Sequence, residues 1–199
     1  MNKILKKEER LNMQLKAILF NILQPVCLSV VISTLAHAEL SQQYVIPQSM
    51  QVGGQLNQPV AGVTDIQFNE LYKTPVGPKG FELTKKTIAL IGKRIRIVGY
   101  MAKSEPATPG LFVLSPSPVE MGDEDEKLVD DFPPNVIFVH MGDTQLAVPY
   151  IDRLIKLTGT LQVGSFDEVD GHVSTFRLQL DPEIVKDLTR ALSSTQASN

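Results

Sequence analysis

The 199-residue chain has no tryptophan, three histidines and one cysteine, and these scarcities exclude more chemistry than any motif supplies. The cysteine, Cys27, lies inside an apolar run near the N-terminus, preceded by Gln24-Pro25-Val26, which lacks the small-residue form of a lipoprotein signal. An exported chain cleaved beyond Cys27 has no disulfide, no thiolate metal site and no thiol nucleophile. There is no Gly-x-Ser-x-Gly elbow, no His-Glu-x-x-His pair and no phosphate-cradling glycine loop. Carboxylates are plentiful, but their pairs crowd one loop, and a raised acid pKa requires burial. These absences favour a non-catalytic protein.

What is present begins with a leader. Lys3, Lys6, Lys7, Arg10 and Lys16 precede the apolar run from Ala17 to Leu35, and Ala36-His37-Ala38 has the small-x-small form of a cleavage site. The expectation is a Sec-type signal peptide over residues 1–38 and a periplasmic or secreted mature chain starting at Glu39. An uncleaved anchor is the alternative, because the run is long enough to span a bilayer. Translation from Met13 would keep the same apolar segment with Lys16 as its charge. Cleavage removes five of the 19 basic and two of the 22 acidic residues, leaving a formal charge of −6 that disfavours nucleic acid and anionic membranes as partners.

Residues 39–63, rich in Gln, Gly and Pro without a period, read as a flexible lead, and 64–192 as the domain. The organising stretch is Gly92 to Met101, GKRIRIVGYM, where Ile95 and Ile97 alternate with Arg94, Arg96 and Val98 as in a half-buried strand. Gly99 is expected to bend it. Ahead of it, Thr84 caps a short helix through Leu90, with Ile88 and Ile91 on the apolar side. Leu111 to Leu114 and Val136 to Met141 read as buried strands. Ile155 to Val163 alternates most clearly, with Gly159 as a second bend. Gly164 to His172 reads as a hairpin loop turning at Asp170-Gly171, and the returning strand presents Phe176, Leu178 and Leu180. Asp181 and Pro182 start a helix whose Ile184, Leu188 and Leu192 share one face, and 193–199 is a polar tail. The pattern predicts a mainly β fold, an OB-like five-stranded Greek-key barrel with a short helix before its first strand and a C-terminal helix.

On the runs GKRIRIVGYM, LFVLSPSPV, DDFPPNVIFVHM and LIKLTGTLQVG, the chain resembles a group of exported bacterial domains of unknown function with OB-like folds. The similarity covers roughly Asp65 to Asp181 and concerns fold-defining motifs. Cysteines before the double proline in some relatives imply a metal site there, whereas this chain has Met121, Asp123, Glu124, Asp125 and Glu126 instead.

Three sets of residues are candidates for contact. Arg94, Arg96 and Tyr100 on the organising strand are the expected ligand face; the bland alternative is a solvent face whose arginine stems cover the sheet. Asp123, Asp125, Asp130 and Asp131 group oxygens suited to a hard cation, although Lys127 breaks the spacing of a helix-loop-helix calcium site. His140 and His172, if the fold brings them together with a carboxylate such as Asp170, form a site suited to zinc or copper. The expected role is a binding or adaptor module for an envelope protein or a small ligand, without a cofactor. The alternative is a metal-handling envelope protein binding a divalent cation.

Overall fold

A computed structural model describes residues 46–120, 132–142 and 145–196, all within one unit, Gln42–Asn199. The leader, the start of the lead, the acidic stretch 121–131 and the last three residues lie outside the described residues. The strands are β1 (Thr64–Asp65), β2 (Arg94–Met101), β3 (Leu111–Ser115), β4 (Ile137–His140), β5 (Leu154–Asp167) and β6 (Val173–Leu180). Among the described residues two α-helices accompany them, α1 (Lys85–Leu90) and α2 (Pro182–Gln196). The strands make one mixed sheet in the order β1-β2-β3-β4-β6-β5, and β5 pairs again with β2. β1 runs parallel to β2, and β4 parallel to β6; the other pairs are antiparallel. No helix among the described residues is long and apolar enough to cross a membrane.

The alternation read in the sequence decides which residues enter the core. Ile95 and Ile97 of β2, Ile155, Leu157 and Leu161 of β5, and Phe176 and Leu178 of β6 are at most 1% exposed. Ile184 and Leu188 bring α2 onto the same core. Full burial of such a side chain contributes roughly 1.5–3 kcal/mol, so these alternating residues supply much of the cohesion. β3 and β4 are apolar on both faces because each face meets a different cluster. Leu114, Ile137 and Val139 enter the main core, while Leu111, Val113 and Phe138 form a second one with Ala102 and Val136.

Several details differ from the sequence reading. Among the described residues there are six strands, because Thr64–Asp65 adds a short parallel strand. Ile46 and Met50 are buried in the core, Met50 completely, so the chain joins the domain well before residue 64. In α1 the buried residues are Thr87 and Leu90, whereas Ile88 and Ile91 are 56% and 42% exposed. The two threonine hydroxyls turn the helix: Thr84 caps Thr87 N–H, and both donate to the carbonyl of Glu70. Pairing runs through Gly99 and Gly159 without a register shift; the shift falls between Val163 and Phe166. The glycines are needed for space. A Cβ on Gly159 would lie 2.3 Å from the Gln179 carbonyl oxygen, and one on Gly99 would lie 2.7 Å from the Phe68 ring. β5 therefore continues to Asp167, and only Glu168 to Gly171 turns.

Candidate functional site

The β5–β6 turn closes with Glu168 N–H on the His172 carbonyl and Gly171 N–H on the Glu168 carbonyl. Gly171 has φ 90°, a left-handed conformation that favours glycine. This tight turn aims the Glu168 carboxylate back at the sheet, where the residue is 7% exposed. Its Oε1 accepts from the Ser174 hydroxyl and from Arg177 Nε at 2.6 Å. His140 Nε2 lies 3.1 Å from Oε2. Arg177 also donates to the Asp167 carbonyl and lies 4.2 Å over the Phe166 ring. Burial pushes the Glu168 carboxyl up, but the bonds from Arg177 and Ser174 and the nearby His140 outweigh it and hold it below the ordinary glutamate value.

The order of contacts decides what this cluster does chemically. In a Ser-His-Asp triad the imidazole lies between hydroxyl and carboxylate. Here the carboxylate is central, so the Ser174 proton points at Glu168 and the hydroxyl is buried. The cluster locks the turn onto β4 and β6.

His172 follows two residues after Asp170, and its Nδ1 lies 3.1 Å from Asp170 Oδ1. Its ring packs 5.5 Å from Phe132 and 6.0 Å from Phe138, at the second cluster. The two histidines thus have separate carboxylate neighbours, Glu168 for His140 and Asp170 for His172. Among the described residues, no group of three or more His, Cys, Asp or Glu is placed to hold a metal ion. Asp123, Asp125, Asp130 and Asp131 lie outside the described residues.

On β2, Arg94 forms a two-pronged pair with Asp181, at 3.1 and 2.5 Å, at the start of α2. Arg96 is 8% exposed and holds Asp65 at 2.6 and 2.7 Å while also donating to the Asn57 carbonyl. The hydrogen bond from Arg96 keeps the Asp65 carboxyl below its usual range. Tyr100 is half-buried, opposite Ser115 and Leu154. Arg96 lines an open cleft of about 430 Å³ with Ile66, Phe68, Val98 and Pro116, and with Gln67 and Asn69. Tyr100 and Arg94 do not line it.

Sequence reasoning passed over Glu168, Ser174, Arg177 and Asp65. Arg177 left a signal as a charged residue alternating with Phe176 and Leu178, but its carboxylate partner, nine residues away, depends on how the turn folds.

No family model matches the chain, and no curated protein matches it. Among solved structures it is similar to a DUF3299 family protein from Pseudomonas aeruginosa PAO1, at 14% identity and a TM-score of 0.37, over 59% of this chain and 91% of that one.

Proposed function

We propose that this protein is an exported, non-catalytic binding or adaptor module of the cell envelope, built on an OB-like closed barrel. The pairing circuit supports the barrel reading: β2, β3, β4, β6 and β5 each bond to the next, and β5 bonds to β2. Closure of this kind removes free sheet edges and leaves loops and clefts for recognition. The observation that carries the non-catalytic reading is that chemistry-bearing side chains are bound to one another. Glu168 is taken up by Ser174 and Arg177, with His140 beside it, Asp65 by Arg96, and Asp181 by Arg94.

The covered face of β3 and β4 weighs against nucleic acid. OB barrels bind single strands on their strand 2–3 face, counterparts of β3 and β4 here, using exposed aromatic and basic groups. In this chain Leu111, Val113 and Phe138 of that face are buried, with Val119 and Phe132 packed against them. Arg96, which lines the open cleft, is the residue of the expected ligand face retained for ligand contact; an envelope protein or a small molecule remains the partner class.

Native mass spectrometry of protein recovered from the envelope fraction without chelator tests the reading. A bare mass starting at Glu39 is the expected result. A mass retaining residues before Glu39 overturns cleaved export in favour of the anchor. A stoichiometric metal adduct overturns the adaptor reading in favour of the metal-handling alternative, which uses either the acidic residues Asp123, Asp125, Asp130 and Asp131 or the histidines His140 and His172.

A further inference from the structure

The cleft beside Arg96 lies against a gap in the β2 ladder. The phase of that ladder is set by two bonds: Leu161 N–H donates to the Lys93 carbonyl at 3.0 Å, so odd-numbered β2 residues face β5, and Ile66 N–H donates to the Arg96 carbonyl at 3.0 Å, so even-numbered ones face the other edge. On that other edge, Arg96 pairs with β1 and Tyr100 with β3. Val98 falls between them, and among the described residues its only strand partner is Lys156 of β5, in the pairing phase that does not exchange hydrogen bonds. The parallel ladder would continue from Val98 N–H to the Ile66 carbonyl. The chain instead turns away after Ile66 into the 3-10 turn Phe68–Glu70, and no such bond is made among the described residues.

The Val98 N–H and C=O, without a backbone partner among the described residues, therefore lie beside a cleft of about 430 Å³, a volume typical of ligand sites. Ile66, Phe68, Val98 and Pro116 give it an apolar lining, to which Gln67 and Asn69 add amides. Arg96 adds a guanidinium whose charge is already balanced by Asp65, with Nε and Nη2 taken. Its remaining nitrogen, Nη1, has no hydrogen-bond acceptor among the described residues. A balanced guanidinium has little net charge with which to attract an anion, yet still donates to a neutral carbonyl.

We infer that this cleft binds a short, extended, uncharged peptide segment of a partner protein, whose main chain pairs with Val98 and whose carbonyl accepts from Arg96. Apolar side chains of the segment pack on Phe68 and Pro116. The mode is strand addition confined to the gap at Val98 between β1 and β3, the one stretch of β2 that the closed pairing leaves open among the described residues, in which backbone bonds supply affinity and side-chain pockets supply selectivity. This inference rests on the binding-module reading and names the partner's chemistry.

The test is amide-resolved NMR on the chain from Glu39 onward. In the free protein the Val98 amide should exchange about tenfold or more faster than those of Ile97 and Gly99, which face β5. Acetyl-Ala-Val-Ala-amide at millimolar concentration should shift the Val98, Arg96, Phe68 and Asn69 signals saturably and slow Val98 exchange. Inorganic phosphate should not. Asn69→Trp, which fills the cleft from an exposed position, should abolish the peptide shifts, and the same substitution at Leu56, which also lines the cleft and is 43% exposed, repeats the test if the first variant folds poorly. A Val98 amide as protected as its neighbours, peptide shifts that survive both variants, or a saturable phosphate response at Arg96 overturns the proposal. Such a failure is separable from failure of the module reading, which native mass spectrometry decides on its own.

Discussion

Gly159 shows how a single atom constrains this sheet. A Cβ there would meet the Gln179 carbonyl oxygen at 2.3 Å, and that oxygen belongs to a paired strand with no room to retreat. Gly159→Ala should destabilise the protein by about 1–3 kcal/mol, the usual cost of overpacking, seen as a lower urea midpoint. Glu168 is constrained electrostatically. Its folded pKa is depressed, so its contribution to stability is complete above the ordinary glutamate value of about 4.3 and is lost as pH falls through the lower folded value. Unfolding free energy should therefore decline on acidification below roughly pH 5, and Glu168→Gln should flatten part of that decline. At neutral pH the same substitution removes one charge from a buried pair and should cost roughly 3 kcal/mol. None of this was legible from the residues around Glu168, because Ser174 and Arg177 lie six and nine positions away and meet it only when the turn closes.

At the scale of elements, α1 is the clearest case of local signals read correctly for position and wrongly for facing. Thr84 is its cap, as expected, and Thr84→Ala should cost about 1–2 kcal/mol, since the hydroxyl caps Thr87 N–H and also bonds the Glu70 carbonyl. Periodicity places Ile88 and Ile91 inward, but a six-residue helix is too short for its own pattern to decide its rotation. The Thr87 hydroxyl, bonded to the Glu70 and Leu71 carbonyls, turns Thr87 and Leu90 inward instead. Ile88→Lys should therefore change stability by no more than about 0.5 kcal/mol, whereas Leu90→Ala should cost roughly 2–5 kcal/mol; paired denaturation curves check both. The long strand β5 shows the opposite balance. Its alternation from Ile155 to Leu161 named its inward residues correctly, and only its extension to Asp167 escaped notice, because Gly164 resembles a loop start while serving an irregularity in the β5–β6 pairing.

For the whole molecule, the N-terminal segment joins the core. Met50 is fully buried, Gln51 bridges to Ile155, and Ser49 donates to Asp187 of α2, so residues 46–51 tie β5 to the C-terminal helix. Met50→Ala should lower stability by about 2–5 kcal/mol, and a chain starting at Val52 should melt below one starting at Glu39 in differential scanning calorimetry. The segment looked flexible because Gln, Gly and Pro dominate it and only two apolar residues, four apart, carry the attachment.

The mainly β character, the core residues of the four longest strands, the Thr84 cap of α1 and the buried face of α2 are all written in the order of the residues, because each depends on local signals along one segment. Tertiary structure decided the six-stranded mixed order, the return pairing of β5 to β2, the partners of Arg94, Arg96 and Glu168, and the gap at Val98. Those depend on contacts between residues as far as 87 positions apart, as for Arg94 and Asp181, and no local period encodes which distant carboxylate a guanidinium will meet.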